Sequence, residues 1–96
     1  MMKAAVAAIA FSMIAAAVVV SAEPPAGAAS CSGCHPTSAR VASPVPRLVG
    51  LERAAIVRAM QEFRSGQRAA TVMDRLAKGF TDDEIQALAA WFATQR

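Results

Sequence analysis

Beyond residue 22 the apolar positions follow helical spacing, and nowhere the strict alternation of a half-buried strand. Ile56, Ala59, Met60 and Phe63 stand at i, i+3, i+4 and i+7 and predict a helix over about 51–65. Glu52, Arg53, Gln61, Glu62 and Arg64 take its outer side, and Gly66 is placed to stop it. A second stripe, Ile85, Leu88, Ala89 and Phe92 with Trp91 flanking, predicts the last helix. Thr81 and Glu84 form a capping-box pattern at its start, with Asp82 and Asp83 in the first turn where negative charge suits the helix dipole. A short helix is expected over 72–78, closed by Gly79, and a helical turn over 28–35, ended by Pro36. Residues 37–50, with Pro44 and Pro46, read as loop. The fold class is all-α, with three to four helices.

The first 22 residues have a different pattern. Lys3 precedes an apolar run over 4–20, and Val20-Ser21-Ala22 supplies small residues for cleavage. This is the layout of a secretory signal peptide. A retained anchor is the alternative, although the run is alanine-rich, contains Ser12 and is near the lower length limit of about 17 residues for a spanning helix. We therefore divide the chain into a signal peptide over 1–22, a proline-containing extended leader over 23–27 and one domain over 28–96. The mature protein is expected in the periplasm without permanent membrane insertion.

Composition then limits what that domain can be. Residues 23–96 hold 34 apolar side chains, of which 15 are alanine and two cysteine, so 17 larger ones must make the core. A chain this short buries only about 60% of its unfolded surface, and such scaffolds usually need a disulfide, metal or cofactor to complete them. Two domains, a repeat solenoid and a large enzyme with an all-protein substrate pocket are excluded. Nine basic residues oppose seven acidic ones after residue 22, without aromatic interleaving, which is not the charge pattern of a nucleic-acid binder.

Both cysteines and the single histidine fall within Cys31-Ser32-Gly33-Cys34-His35. C-x-x-C-H is the pattern of c-type haem attachment. On a helical turn, positions i and i+3 face the same way, so Cys31 and Cys34 can each form a thioether to one vinyl group, and His35 can meet the iron from the proximal side. Gly33 would let the porphyrin or another helix approach. A disulfide or thioredoxin-like pair also fits C-x-x-C, but the latter expects a βαβ context. A zinc site would need a fourth ligand.

With His35 used, the sixth position falls to a methionine, Lys78, the terminal amine or nothing. Of Met60 and Met73, Met60 lies on the stripe of a regular helix and reads as packing. Met73 lies 38 residues after His35, at the start of a short helix where the chain could return over the distal face. We take it as the ligand; gap-filling in the core is the alternative.

With these motifs the chain resembles the class I cytochromes c: C-x-x-C-H near the mature N-terminus, the loop ending Pro46-Arg47-Leu48-Val49-Gly50, a distal methionine and an amphipathic last helix with an aromatic pair. Phe63-Arg64-Ser65-Gly66 and the run 71–80 are similar to the cytochrome subunit of flavocytochrome c sulfide dehydrogenase and related small periplasmic cytochromes. The resemblance implies a small fold around one covalent haem c, and a Pro46 carbonyl that accepts a hydrogen bond from His35. It also implies crossed first and last helices that set Trp91 or Phe92 against the turn near Gly33. Without tyrosine, Arg40, Arg47 and Trp91 are unranked candidates to hold the haem propionates.

The function so implied is electron transfer, not enzymatic catalysis, with a redox protein as donor, by resemblance a flavoprotein, and another as acceptor. The alternatives are a free shuttle to an oxidase or other acceptor, and a haem sensor or enzyme with a displaceable distal ligand. Seven arginines over 40–75 meet only Glu52, Glu62 and Asp74 in that span, which suits an acidic partner.

Overall fold

The computed structural model describes residues 2–5 and 23–96. The expected signal peptide therefore lies, apart from 2–5, outside the described residues. Four helices follow one another, α1 (Ala28–Ser32), α2 (Arg53–Ser65), α3 (Met73–Ala77) and α4 (Asp82–Thr94), and the described residues contain no strand. The architecture is all-α. No helix among the described residues is long and apolar enough to cross a membrane.

The last helix forms where its sequence directs. Thr81 Oγ1 accepts from the Glu84 N–H at 3.2 Å, and Glu84 Oε1 accepts from the Thr81 N–H at 3.0 Å, which closes the capping box. These bonds favour the charged carboxylate and hold the Glu84 carboxyl below its ordinary range, the Thr81 backbone N–H contributing most. Ile85, Leu88, Ala89 and Phe92 are all buried. α3 and α4 both pack on α2. Ala28, Ile56, Leu88, Ala89 and Phe92 form the core cluster, with Cys31, Met60 and Trp91 among the half-buried side chains against it.

Two local details of α2 differ from expectation, and α1 matches it. α2 starts two residues later than predicted, because Gly50 adopts a left-handed φ of +80° and Leu51 N–H bonds back to Leu48 O at 3.2 Å, leaving Leu51 in a turn. Of its predicted stripe only Ile56 is buried; Ala59, Met60 and Phe63 are half-buried. The first helix ends at Ser32, yet the His35 N–H still reaches Cys31 O at 2.8 Å, so a helical turn carries the chain to Pro36, which has no N–H to continue it.

Trp91 and Phe92 share a cleft with Ala28, Ala29 and Ser32, the residue before Gly33. A Cβ built on Gly33 would meet only Ser30 O of its own turn. The close approach occurs at Gly27, where φ is +91° and a Cβ would come within 2.8 Å of Phe80 Cε1 and 3.8 Å of Leu88 Cδ1. Gly27 thus lets the start of α1 lie against α4 and the Phe80 ring.

Candidate functional site

The C-x-x-C-H motif occupies the last turn of α1 and the residues just after it. Cys34 N–H bonds to Cys31 O at 3.2 Å, and this turn carries both thiols and the imidazole. Both cysteines are free; Cys31 is half-buried against the core and Cys34 is exposed. Burial pushes the Cys31 thiol above its ordinary value.

His35 is fixed by the loop that follows. Its Nδ1 lies 2.6 Å from Pro46 O. A carbonyl can only accept, so Nδ1 is the donor in this bond and Nε2 is the ring nitrogen left to bind. An imidazole held this way is a ligand in waiting: the carbonyl sets ring orientation and tautomer, and raises the basicity of the other nitrogen. Pro44 and Pro46 restrict the loop backbone that delivers this oxygen.

Arg47 comes next in the chain. Its Nη2 donates to Thr37 O at 3.2 Å, which ties the two sides of the loop together. Its Nε is buried and has no protein partner. Arg40 is exposed and contributes only its backbone N–H, to Ser38 Oγ at 3.2 Å. Trp91 lines a cleft of about 310 Å³ with Ala28, Ala29, Val49 and Phe92. Structure thus separates three residues that sequence left equal.

Met73 is the first residue of α3 and is half-buried. Its neighbour Asp74 has a buried, unpartnered Oδ1, while Val72 and Leu76 are exposed. The structure therefore joins Cys31, Cys34, His35 and Pro46 in one continuous unit and supplies Met73 from a separate element. A second cleft, of about 290 Å³, lies between Arg53, Val57, Arg58 and Gln86. Neither cleft includes His35 or Met73, so concavity alone does not mark the motif. Asp74 and the anchored Arg47 were not distinguishable in sequence, because burial of one atom is a tertiary property.

An all-α domain with paired thiols and a pre-set imidazole in one turn has the make-up of a covalent haem carrier. The cytochrome subunit of sulfide dehydrogenase from Chlorobaculum tepidum is 41% identical over 63 residues, covering 66% of this chain and 57% of that protein. Cytochrome c-554(548) from Halomonas halodenitrificans is 30% identical over 70 residues, covering 69% of this chain and 84% of the relative. A thiosulfate dehydrogenase electron acceptor from Stutzerimonas stutzeri is 34% identical over 65 residues, 66% of this chain and 30% of its own length. The match thus spans little more than half of the first relative and under a third of the last. No protein-family profile matches the chain. The chain belongs to the small c-type cytochromes, which are electron-transfer proteins and imply haem c.

Proposed function

We propose that this chain is a periplasmic electron carrier whose domain, 28–96, holds one haem c through Cys31, Cys34, His35 and Met73. The observation that carries the reading is the His35 ring, held by Pro46 O at 2.6 Å with Nε2 left to bind, one residue from a free thiol and four from another. The donor set fits the group: two free thiols for two vinyl carbons, a neutral imidazole, and a soft thioether on α3. When bound, haem supplies a one-electron ferric/ferrous couple whose potential a methionine ligand raises.

The chain's own residues do the rest. Cys31 and Cys34 would each hold one vinyl group of the haem by addition of S–H across its double bond, the sulfur to one carbon and the hydrogen to the other, which needs no oxidant. His35 presents Nε2, and Pro46 keeps the ring from rotating. Met73 would hold the iron together with His35, and with both ligands retained the task would be outer-sphere electron transfer. Residues 1–22 support export. The names of the Chlorobaculum and Stutzerimonas relatives favour a donor that oxidises a reduced sulfur compound. For this chain we take a flavoprotein dehydrogenase subunit as donor and another cytochrome or an oxidase as acceptor.

The test is expression with a periplasmic cytochrome-maturation system followed by acidified-acetone extraction. Colour that stays with the protein and a mass increased by one haem are expected; colour passing to the organic phase overturns covalent attachment. Ferric Met73→Ala should lose the weak near-infrared sulfur-to-iron band, whereas Met60→Ala should keep it. The opposite pattern would transfer the ligand role to Met60.

A further inference from the structure

We infer that Arg68 is a positioning residue that fixes the approach to Met73, an inference that rests on Met73 being the sixth ligand as proposed above. Gly66 ends α2, and residues 67–72, which lead from there to Met73, are all exposed. Arg68 ties that run to the helix behind it. Its Nε and Nη2 lie 2.9 and 2.8 Å from Glu62 Oε2, its backbone N–H donates to Glu62 O at 3.3 Å, and its guanidinium lies 5.5 Å from the centre of the Phe63 ring. Among the described residues, no other member of 67–72 bonds to α2 or α4. Each contact is modest for an exposed side chain, but all converge on one residue of a run that buries nothing.

The helix that carries Met73 cannot hold its own place. α3 has five residues and buries only Ala77, and so short a helix has no stability apart from its surroundings. Its far end is held by a second arginine: Arg64 Nη1 donates to Phe80 O at 3.3 Å, and Arg64 Nη2 pairs with Asp82. Met73 therefore lies between two guanidinium ties, Arg64 beyond the end of α3 and Arg68 ahead of its start. Release of Arg68 lengthens the free run before Met73 from 69–72 to 67–72 and leaves α3 to its packing on α2 and to Arg64. Met73 is the first residue of α3, so it is the residue such a local opening displaces first. Arg68 thus acts on the sixth ligand through the backbone and touches neither sulfur nor iron.

Haem-loaded ferric protein tests this with added imidazole, which must displace the Met73 sulfur to bind. Arg68→Ala should raise the imidazole affinity about tenfold, since the ion pair and the ring contact are lost together. Arg68→Lys keeps the charge but not the planar fork and should raise it less. Glu62→Gln should also raise it, and the Arg68→Ala/Glu62→Gln double variant should add little to Arg68→Ala alone. Arg58→Ala removes the other Glu62 pair, at 3.9 Å, without touching the run 67–72, and should leave the affinity unchanged. An unchanged affinity in Arg68→Ala, or an equal rise in Arg58→Ala, overturns the inference. Wild-type protein gives a reading that needs no variant: the Arg68 backbone amide should exchange with solvent more slowly than those of Gln67 and Ala69. Exchange as fast as theirs overturns the tie even where Arg68→Ala fails to take haem. If Met73→Ala keeps the near-infrared band, the parent reading fails and this one with it; if that band is lost and the imidazole series is flat, the role of Arg68 alone is refuted.

Discussion

α4 and the segment from Cys31 to Gly50 are ordered by different means. α4 buries four side chains along one stripe and closes its own first turn with a capping box. By contrast, no residue between Ala28 and Ile56 is buried. That segment adds to the half-buried packing of Cys31, Leu48 and Val49 a set of single polar bonds: His35 Nδ1 to Pro46 O, Arg47 Nη2 to Thr37 O, and Gly50 N–H to Phe92 O at 3.0 Å. The helical half stores stability in apolar contact, which is cumulative and forgiving. The motif half buries no side chain fully and relies more on those few bonds.

The largest effect expected from this contrast comes from the motif half. Cys31→Ala removes one thioether and a side chain packed on the core, and we expect loss of most holoprotein, read as haem-stained yield against wild type. A haem-loaded Cys31→Ala of unchanged yield and midpoint in urea would mean that the segment stands without the attachment. Phe92→Ala probes the other half. Phe92 is 3% exposed in the core cluster, and its truncation should cost about 3–5 kcal/mol, read from urea unfolding of holoprotein. Because Phe92 O also receives the Gly50 N–H, that variant further tests whether the two halves unfold as one transition.

Gly27→Ala sharpens the join between them. An alanine there must keep a φ of +91° and displace a Phe80 ring edge 2.8 Å away. Left-handed backbone alone costs a non-glycine residue about 1–3 kcal/mol, so a clear drop in urea midpoint is expected. Gly33→Ala, at φ −67° and facing only Ser30 O, should be tolerated better by the fold.

The same contrast explains what could be read before the structure. The capping box and buried stripe of α4 were legible residue by residue, because capping and periodicity are local rules. The C-x-x-C-H spacing was readable in the same way, and the structure sets both cysteines and His35 on one turn. The start of α2 was misplaced because a left-handed Gly50 acts through a conformation that composition does not encode. The close approach at Gly27 was not legible for a related reason: which glycine meets a ring depends on where Phe80 and Leu88 arrive. That Arg47 is anchored while Arg40 is exposed likewise depends on tertiary placement.

The smallest effect lies at the α4 cap and is resolved by pH. Thr81→Ala removes the hydroxyl that accepts from Glu84 N–H but keeps the backbone N–H that donates to Glu84 Oε1. Its cost should be about 1 kcal/mol at neutral pH. Glu84→Gln tests the charge instead. The folded Glu84 carboxyl lies below its ordinary value of 4.5, so its contribution is fully present above that value. It must fade as acid protonates the folded carboxylate. The urea midpoints of wild type and Glu84→Gln should therefore differ at pH 7 and converge as pH falls through the folded pKa. Since the main cause is the Thr81 backbone N–H, Thr81→Ala should keep most of this pH dependence; if it abolishes the convergence, the hydroxyl and not the backbone bond holds the carboxyl down.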